Sequence, residues 1–283
     1  DLPSCVSQVL LDGGGGSGAL LSAELDAVGV AKLPATFGVG VLSDLNPRTS
    51  DSILLELLRA VKAWRAPNRM GQLSFGVISP PELLTPTDYL TAEDFVLDSI
   101  KPVSTLMAAK SAVISYRPYN QTQAYANSNP TLTPAQRQDL EQPYRTASTP
   151  DSASVLAADP SAPVALRLGT GQTCLDSEQD AQKQAGLEAL WRSVPRRTDS
   201  MQLAYPVPRL VVGQCVRMTM PVLDYDNGKN VIVAAVRADD GRAQHSIEVI
   251  GALTQVGGDD LLVQASTGDR MLVGDGTGTI QID

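Results

Sequence analysis

Asp-Ser-Glu-Gln-Asp-Ala-Gln-Lys-Gln-Ala-Gly-Leu-Glu-Ala-Leu-Trp, residues 176–191, opens the stretch to Leu253 whose reading decides the fold. Ser177 stands three residues before Asp180 at a helix start, and Ala181, Ala185, Leu187, Leu190, Trp191 and Val194 fall near the spacing of one buried helical stripe. Pro195 stops the helix. Strand-like runs follow at Met201 to Val207, Leu210 to Met220, Asn230 to Ala238 and Gln244 to Leu253. Pro208, Asp226-Asn227-Gly228 and Asp239-Asp240-Gly241 separate them, and the two Gly-terminated turns read as hairpin closures. A helix followed by short strands predicts a helix docked on a small antiparallel barrel or sandwich. Nothing in the stretch is arranged like an active site, which makes it a part for assembly.

The rest of the chain adds a second unit. At 283 residues and 43% hydrophobic it can bury the cores of two ordinary domains. Aromatic residues make up 4%, so those cores must be mainly Leu, Val, Ala and Ile. No apolar run reaches the roughly 20 residues of a membrane-spanning helix, and stable membrane insertion is not expected. The N-terminus lacks the basic and apolar regions of a signal peptide, and its start at Asp1 reads as part of something longer. With 31 acidic against 22 basic residues the net charge is −9, which disfavours a tight grip on nucleic acid. The densest basic cluster, Arg192, Arg196 and Arg197, reads as a solvated helix end that favours the helix dipole. Cys5, Cys174 and Cys215 share no metal-ligand spacing and fit a reducing site of synthesis.

From the N-terminus, an apolar run at Val6 to Leu11 precedes Gly13-Gly14-Gly15-Gly16-Ser17-Gly18, a flexible turn without the Lys-Ser or Lys-Thr pair of a phosphate loop. A helix is expected from Asp51, as N-cap, to Ala66, with Leu54, Leu57, Leu58, Val61 and a core Trp64 on one face and Pro67-Asn68 ending it. Leu73, Phe75 and Val77 alternate as a half-buried strand after Gly71. Thr91-Ala92-Glu93-Asp94 reads as a capped turn, and Ala109 to Arg117 and Val164 to Leu168 as strands. Four divisions result: a first α+β unit at 1–117, an extended polar arm or loop at 118–163, a helix plus barrel-like unit at 164–253, and a Gly/Asp-rich β extension at 254–283. The overall expectation is an α+β, mainly β chain with two main helices.

The search for chemistry assigns no catalytic, cofactor-binding or metal residue. His245, the only histidine, alternates with Ile247 and Val249 in a strand, so any Ser-His-Asp or Cys-His site would rest on a side chain placed like a structural one. Cys215 reads as a small buried hydrophobe. Glu24, Glu56, Glu82, Glu93, Glu188 and Glu248 are the carboxylates that a polysaccharide hydrolase would pair. Tyr89, Tyr116, Tyr119, Tyr125 and Tyr144 are the grouped aromatics that such a site would need. Gly257-Gly258-Asp259-Asp260 is similar to a calcium-binding β-roll repeat, but it occurs once and reads as a turn.

The order of parts carries a resemblance. The Leu-rich helix opening at Asp51, Gly71-Gln72-Leu73 with its strand, Leu90 to Asp94, and Val113-Ile114-Ser115-Tyr116-Arg117-Pro118 resemble the baseplate hub, or tail-tip (host-specificity type), proteins of tailed bacteriophages. So do the Ala-spaced helix at 181–191, the strand near Met201 to Tyr205, and Leu210-Val211-Val212-Gly213-Gln214-Cys215-Val216. The last is similar to a Leu-x-x-Gly-Asp-Val lead-in to a barrel, followed here by Met220-Pro221 and Val233 to Val236, and it departs from that pattern at Gln214-Cys215. The resemblance spans about residues 40–253. It implies a structural virion protein, not an enzyme: a homotrimeric ring that joins the tail tube to a central fibre or spike. Such a ring contacts the distal tail protein and the C-terminus of the tape-measure protein, and its lumen forms part of the DNA exit path. The arm would then reach a neighbouring subunit or tail protein. A β-rich polysaccharide hydrolase or a receptor-binding adhesin is the alternative.

Overall fold

Met201 and Leu203, Val216 and Met218, Val231 and Val233, and Ile247 and Val249 are buried two residues apart. That period of two builds one face of a sheet. A computed structural model describes residues 2–12, 24–35, 37, 39, 49–68, 70–117, 131, 133–134, 142–168, 174–207, 210–239, 244–253, 261–264 and 271–274. In chain order the elements are α1 (Leu2–Asp12), α2 (Ala27–Ala31), α3 (Ser50–Ala60), β1 (Ala63–Pro67), β2 (Leu73–Val77), β3 (Asp88–Thr91), β4 (Lys101–Leu106) and β5 (Ser111–Tyr116). There follow β6 (Arg145–Ser148), α4 (Ala153–Ala158), β7 (Val164–Arg167), α5 (Glu178–Trp191), β8 (Arg196–Leu203), β9 (Cys215–Thr219), β10 (Lys229–Asp239), β11 (Gln244–Ala252), β12 (Leu261–Gln264) and β13 (Met271–Gly274). The chain is α+β and mainly β. No helix among the described residues is long and apolar enough to cross a membrane.

The expected small barrel or sandwich takes the form of an open six-stranded sheet, ordered β3-β9-β10-β11-β8-β4. Its pairs are antiparallel except β3 with β9, which run parallel. The Asp226-Asn227-Gly228 turn closes the β9–β10 hairpin as read, with Gly228 at φ 74° and its N–H donating to Tyr225 O. β3 and β4 come from before residue 107 and the other strands from after 195, so the sheet ties distant parts of the chain together.

A second core gathers α1, α2, α3, the β1–β2 hairpin and the β6-β5-β7 sheet with α5. Leu2, Val6 and Leu10 face inward from α1 at a spacing of four, and Leu54, Leu57, Leu58 and Val61 do so at α3. The α3 helix is shorter than read. Thr49, not Asp51, caps it, its hydroxyl accepting from Ser52 N at 3.2 Å, and it ends at Ala60. Lys62 then takes φ 57°, and Ala63 to Pro67 pair with Leu73 to Val77 across a turn built on Asn68, whose side chain accepts from the N–H groups of Met70 and Gln72. Trp64 therefore lies in a strand and is half-buried. Cross-strand pairing overrode a helical spacing that happened to continue.

The α5 helix begins as read, with Ser177 Oγ accepting from Asp180 N at 3.1 Å, and Ala181, Ala185 and Trp191 are buried as expected, but the buried face turns away from Leu187 and Leu190. Asp180, Ala181, Gln184, Ala185, Glu188 and Trp191 turn inward, while Leu187 and Leu190 are each 42% exposed. At 3.6 residues per turn Leu190 lies about 180° round the helix from Ala181. The reason is close packing: Ala189 meets Ala109, Ala112 and Ala165, and small side chains let the helix sit near the β5 sheet. The charged groups on the inner face are paired, Asp180 with Ser177 and Lys183 and Glu188 with Lys62, whereas the buried Gln184 amide has no hydrogen-bond partner among the described residues.

The stretch read as a polar arm is structured at its C-terminal end. β6 pairs antiparallel with β5, and α4 is capped by Ser152, whose Oγ accepts from Val155 N. Residues 118–130, the Gly-rich run at 13–18 and Gly257 to Asp260 lie outside the described residues.

Candidate functional site

A groove of about 670 Å³ opens between the β1–β2 hairpin and the lead-in to β9. Trp64 is its floor. The indole lies against two glycines: a Cβ on Gly76 would stand 2.5 Å from Trp64 Cζ2, and one on Gly213 would stand 2.1 Å from Trp64 Cε2. Gly213 has φ +81°, so it supplies both the turn and the space for the ring. The turn is fixed to the sheet, with Gly213 N donating to Val233 O at 2.7 Å and Val233 N donating to Gln214 O at 2.9 Å.

Val211, Val212 and Cys215 form one wall, Ala66, Pro67 and Met70 another, and Leu84, Thr85 and Thr87 close the end beside β3. The polar groups are tied into the protein. Gln214 Oε1 accepts from Val211 N at 3.1 Å, and its Nε2 donates to Thr87 Oγ1 at 2.9 Å. This is what the chain gains at its departure from the Leu-x-x-Gly-Asp-Val pattern: a carboxylate cannot donate that bond. Asp26 caps α2, and its carboxyl is held below the ordinary range, first by a hydrogen bond from Ser74. Lys32 stands at the open rim.

Substituting Ala at Gly213 is expected to dislodge Trp64. The methyl would overlap the indole, and Ala resists φ +81°. A loss of about 1–3 kcal/mol with a red-shifted tryptophan emission is the expected result, read by denaturant titration. An unchanged spectrum and midpoint would contradict the packing.

Two ionic clusters lie outside the groove's lining. At the first, Trp191 lies under the Lys62 ammonium, 4.6 Å from the ring centroid, and under the Arg196 guanidinium at 4.2 Å. Lys62 donates to Glu188 at 2.9 Å, and Arg196 forms a two-pronged bond to Glu82 at 3.0 and 2.6 Å. Burial lowers the Lys62 pKa to about 8. Burial is the largest influence on the Glu82 carboxyl and opposes its charge, but the Arg196 hydrogen bond, a backbone hydrogen bond and the charges of Arg196 and Lys229 together outweigh it and hold that carboxyl low.

At the second cluster, Arg197 Nε donates to Asp199 at 2.8 Å, its Nη2 donates to Asp224 at 2.8 Å, and Lys229 pairs with Asp224. Tyr225 donates to Asp199 at 2.6 Å, and burial raises its pKa. Burial weighs against the Arg197 charge too, yet hydrogen bonding to Asp199 raises its pKa. The basic run read as a solvated helix end is thus corrected: Arg196 and Arg197 belong to β8 and are 1% and 3% exposed. Buried charges persist only when paired, and here Arg196 meets Glu82 while Arg197 meets Asp199 of its own strand and Asp224 of another segment.

The Lys62 pair has a pH consequence. Its folded-state pKa is below the 10.5 of the unfolded chain, so between pH about 8 and 10.5 the unfolded chain holds the proton that the folded one has released. Stability then rises with pH across that window, by up to about 2–3 kcal/mol from this group. Comparing wild type with Lys62→Met by denaturant midpoints from pH 7 to 10.5 checks this: the difference should shift in favour of wild type as pH rises. A flat difference would contradict it.

None of the six glutamates lines the groove. Glu82, Glu188 and Glu248 are engaged with Arg196, Lys62 and Arg237, and Glu93 is exposed. Tyr116 is buried, Tyr89 is exposed on β3, and Tyr119 and Tyr125 lie outside the described residues. His245 is half-buried on β11, opposite Leu203 and Ala238. Cys215 is buried, as read, 3.8 Å from Pro81 O, and burial raises its pKa. The groove itself was missed from sequence. Its signal was present in Gly71 and Gly213, the residues that close the hairpin and seat Trp64.

No protein-family model and no curated protein sequence matches the chain. Among solved structures it is similar to the tail protein from Neisseria meningitidis MC58, with a TM-score of 0.40, 11% identity, and coverage of 75% of this chain and 58% of that one. It is also similar to the 43 kDa tail protein of prophage MuSo2 from Shewanella oneidensis, with a TM-score of 0.38, 10% identity, and coverage of 71% and 52%. The chain thus spans little more than half the length of either.

Proposed function

We propose that the chain is a structural component of a bacteriophage tail, placed at the tail tip as a hub ring between the tail tube and the central fibre or spike. Three copies form the ring. The distal tail protein and the C-terminus of the tape-measure protein are its neighbours, and DNA leaves through its lumen without tight binding. The observation that carries this reading is the seating of Leu210 to Val216. The segment most similar to the hub lead-in forms a wall of the groove and locks onto β10, and its polar side chain, Gln214, is spent on holding Thr87.

Other features support the same role. Most of the segments whose order resembles the hub family form a helix, strand or capped turn, including the Thr91–Asp94 capping box, and Leu210 to Gln214 form the turn that leads into β9. The charge of −9 suits a passage through which DNA slides. A hydrolase would need two carboxylates in the groove, and its lining offers Asp26, which is committed to capping α2.

Immunolabelling of intact tails with an antibody raised against the chain tests the placement. The account expects label at the distal tip, and label confined to the head or along the tube would overturn it.

A further inference from the structure

The two edges of the six-stranded sheet differ from each other in a complementary way. Along the β8 side, the segment from Val96 to Met107 includes β4 and presents Val96, Leu97, Val103, Leu106 and Met107 to solvent, with Val103 51% and Met107 57% exposed. Both parities of β4 are exposed, so neither face of that strand is covered. At the other edge lies the groove, whose end is formed by the residues that lead into β3 and β9. Five strand spacings of about 4.8 Å place the two edges about 24 Å apart along the sheet, too far for one patch to cover the other within a copy.

We propose that the Val96–Met107 edge of one copy docks in the Trp64–Val212 groove of the next, forming the head-to-tail contact of the ring. The inference rests on the self-assembly reading above and adds the surfaces that perform it. A contact between unlike patches on opposite edges of one subunit is heterologous, and it forms a ring when the rotation between copies closes and an open filament when it does not.

Charge selects a second copy as the occupant. Two chains of net charge −9 repel on average. The edge segment, however, carries one acid and one base, Asp98 and Lys101, and with Asp26 spent on capping α2 the groove's rim offers the Lys32 ammonium to Asp98 of an otherwise acidic chain. Pro102 and the bulge between Pro102 and Ser104 disfavour extending the β ladder across the edge. The segment therefore engages through its side chains, and the groove supplies apolar walls at Met70, which is 82% exposed, and at Val211 and Val212.

The test uses the full chain in two variants, Val103→Asp with Leu106→Asp on the edge and Met70→Asp with Val212→Asp in the groove. Sedimentation reads the mass of each, and circular dichroism confirms folding; Met70→Arg alone replaces the groove variant if that one unfolds. Wild type is expected at three chain masses and each variant at one. An equimolar mixture of the two variants is expected at two chain masses, because it retains one intact contact and cannot close. Variants that still form trimers would overturn this interface while leaving self-assembly standing, and so would a mixture that stays monomeric or loss of assembly from one variant only. A monomeric wild type would overturn both.

Discussion

Truncating Trp191 to Ala is expected to lower stability by about 3–5 kcal/mol, the range for removing a large buried aromatic. The residue is 5% exposed and ends α5 where that helix meets β8. Its ring faces both the Lys62 ammonium and the Arg196 guanidinium, and its carbonyl accepts from Arg196 Nε at 2.7 Å. Truncation thus opens a cavity and removes the aromatic surface over which two poorly hydrated cations sit. Phe should recover part of the loss, because it refills the volume and keeps a π face. Denaturant midpoints for the Ala and Phe variants check this. A cost under about 1 kcal/mol for Ala would show that the ring is not a core element.

Asp199→Ala is expected to cost a similar amount, about 3–5 kcal/mol, for a different reason. Asp199 is 0% exposed and accepts from both Arg197 and Tyr225. Removing it leaves a guanidinium 3% exposed with Asp224 as its remaining carboxylate, which Lys229 already shares. Tyr225→Phe should cost less, about 1–2 kcal/mol, because it deletes one neutral donor and strands no full charge. The order of the two losses is the test. If Tyr225→Phe were the more damaging change, the cluster would be held by packing around the ring and not by paired charge.

Much of the sheet was legible in the residues. The strand-like run from Asn230 to Ala238 announced β10, the alternation of Ile247 and Val249 announced β11, and Gly228 marked the hairpin before β10. The buried charges follow the same rule, since Arg197, Asp199, Met201 and Leu203 alternate on one face of β8. They were misread because charge suggests solvent, and their partners Glu82, Asp224 and Lys229 lie on other segments that the sequence cannot place beside them. The exposed face of α5 was misread for the converse reason. Leu187 and Leu190 suggest a core, yet Ala181, Ala185 and Ala189 allow the closer approach to β5 and β6. Trp64 was assigned to a helix because the spacing from Leu54 continues to it; only pairing with β2 reveals a strand. The groove required three segments distant in the chain, and no local pattern joins them. The arm reading also changes what a truncation would test: removing residues 121–160 would take β6 and α4 with it and damage the β5 sheet, so point changes at the sheet edges probe assembly more cleanly.

The central claim is that this chain is built to assemble with copies of itself. Analytical ultracentrifugation of the full chain across a wide concentration range, with electron microscopy of the heaviest species, tests it most directly. The account predicts a reversible step from one to three chain masses and a closed threefold ring. A well-folded monomer that persists at the highest concentration, with no ring in the images, would contradict it.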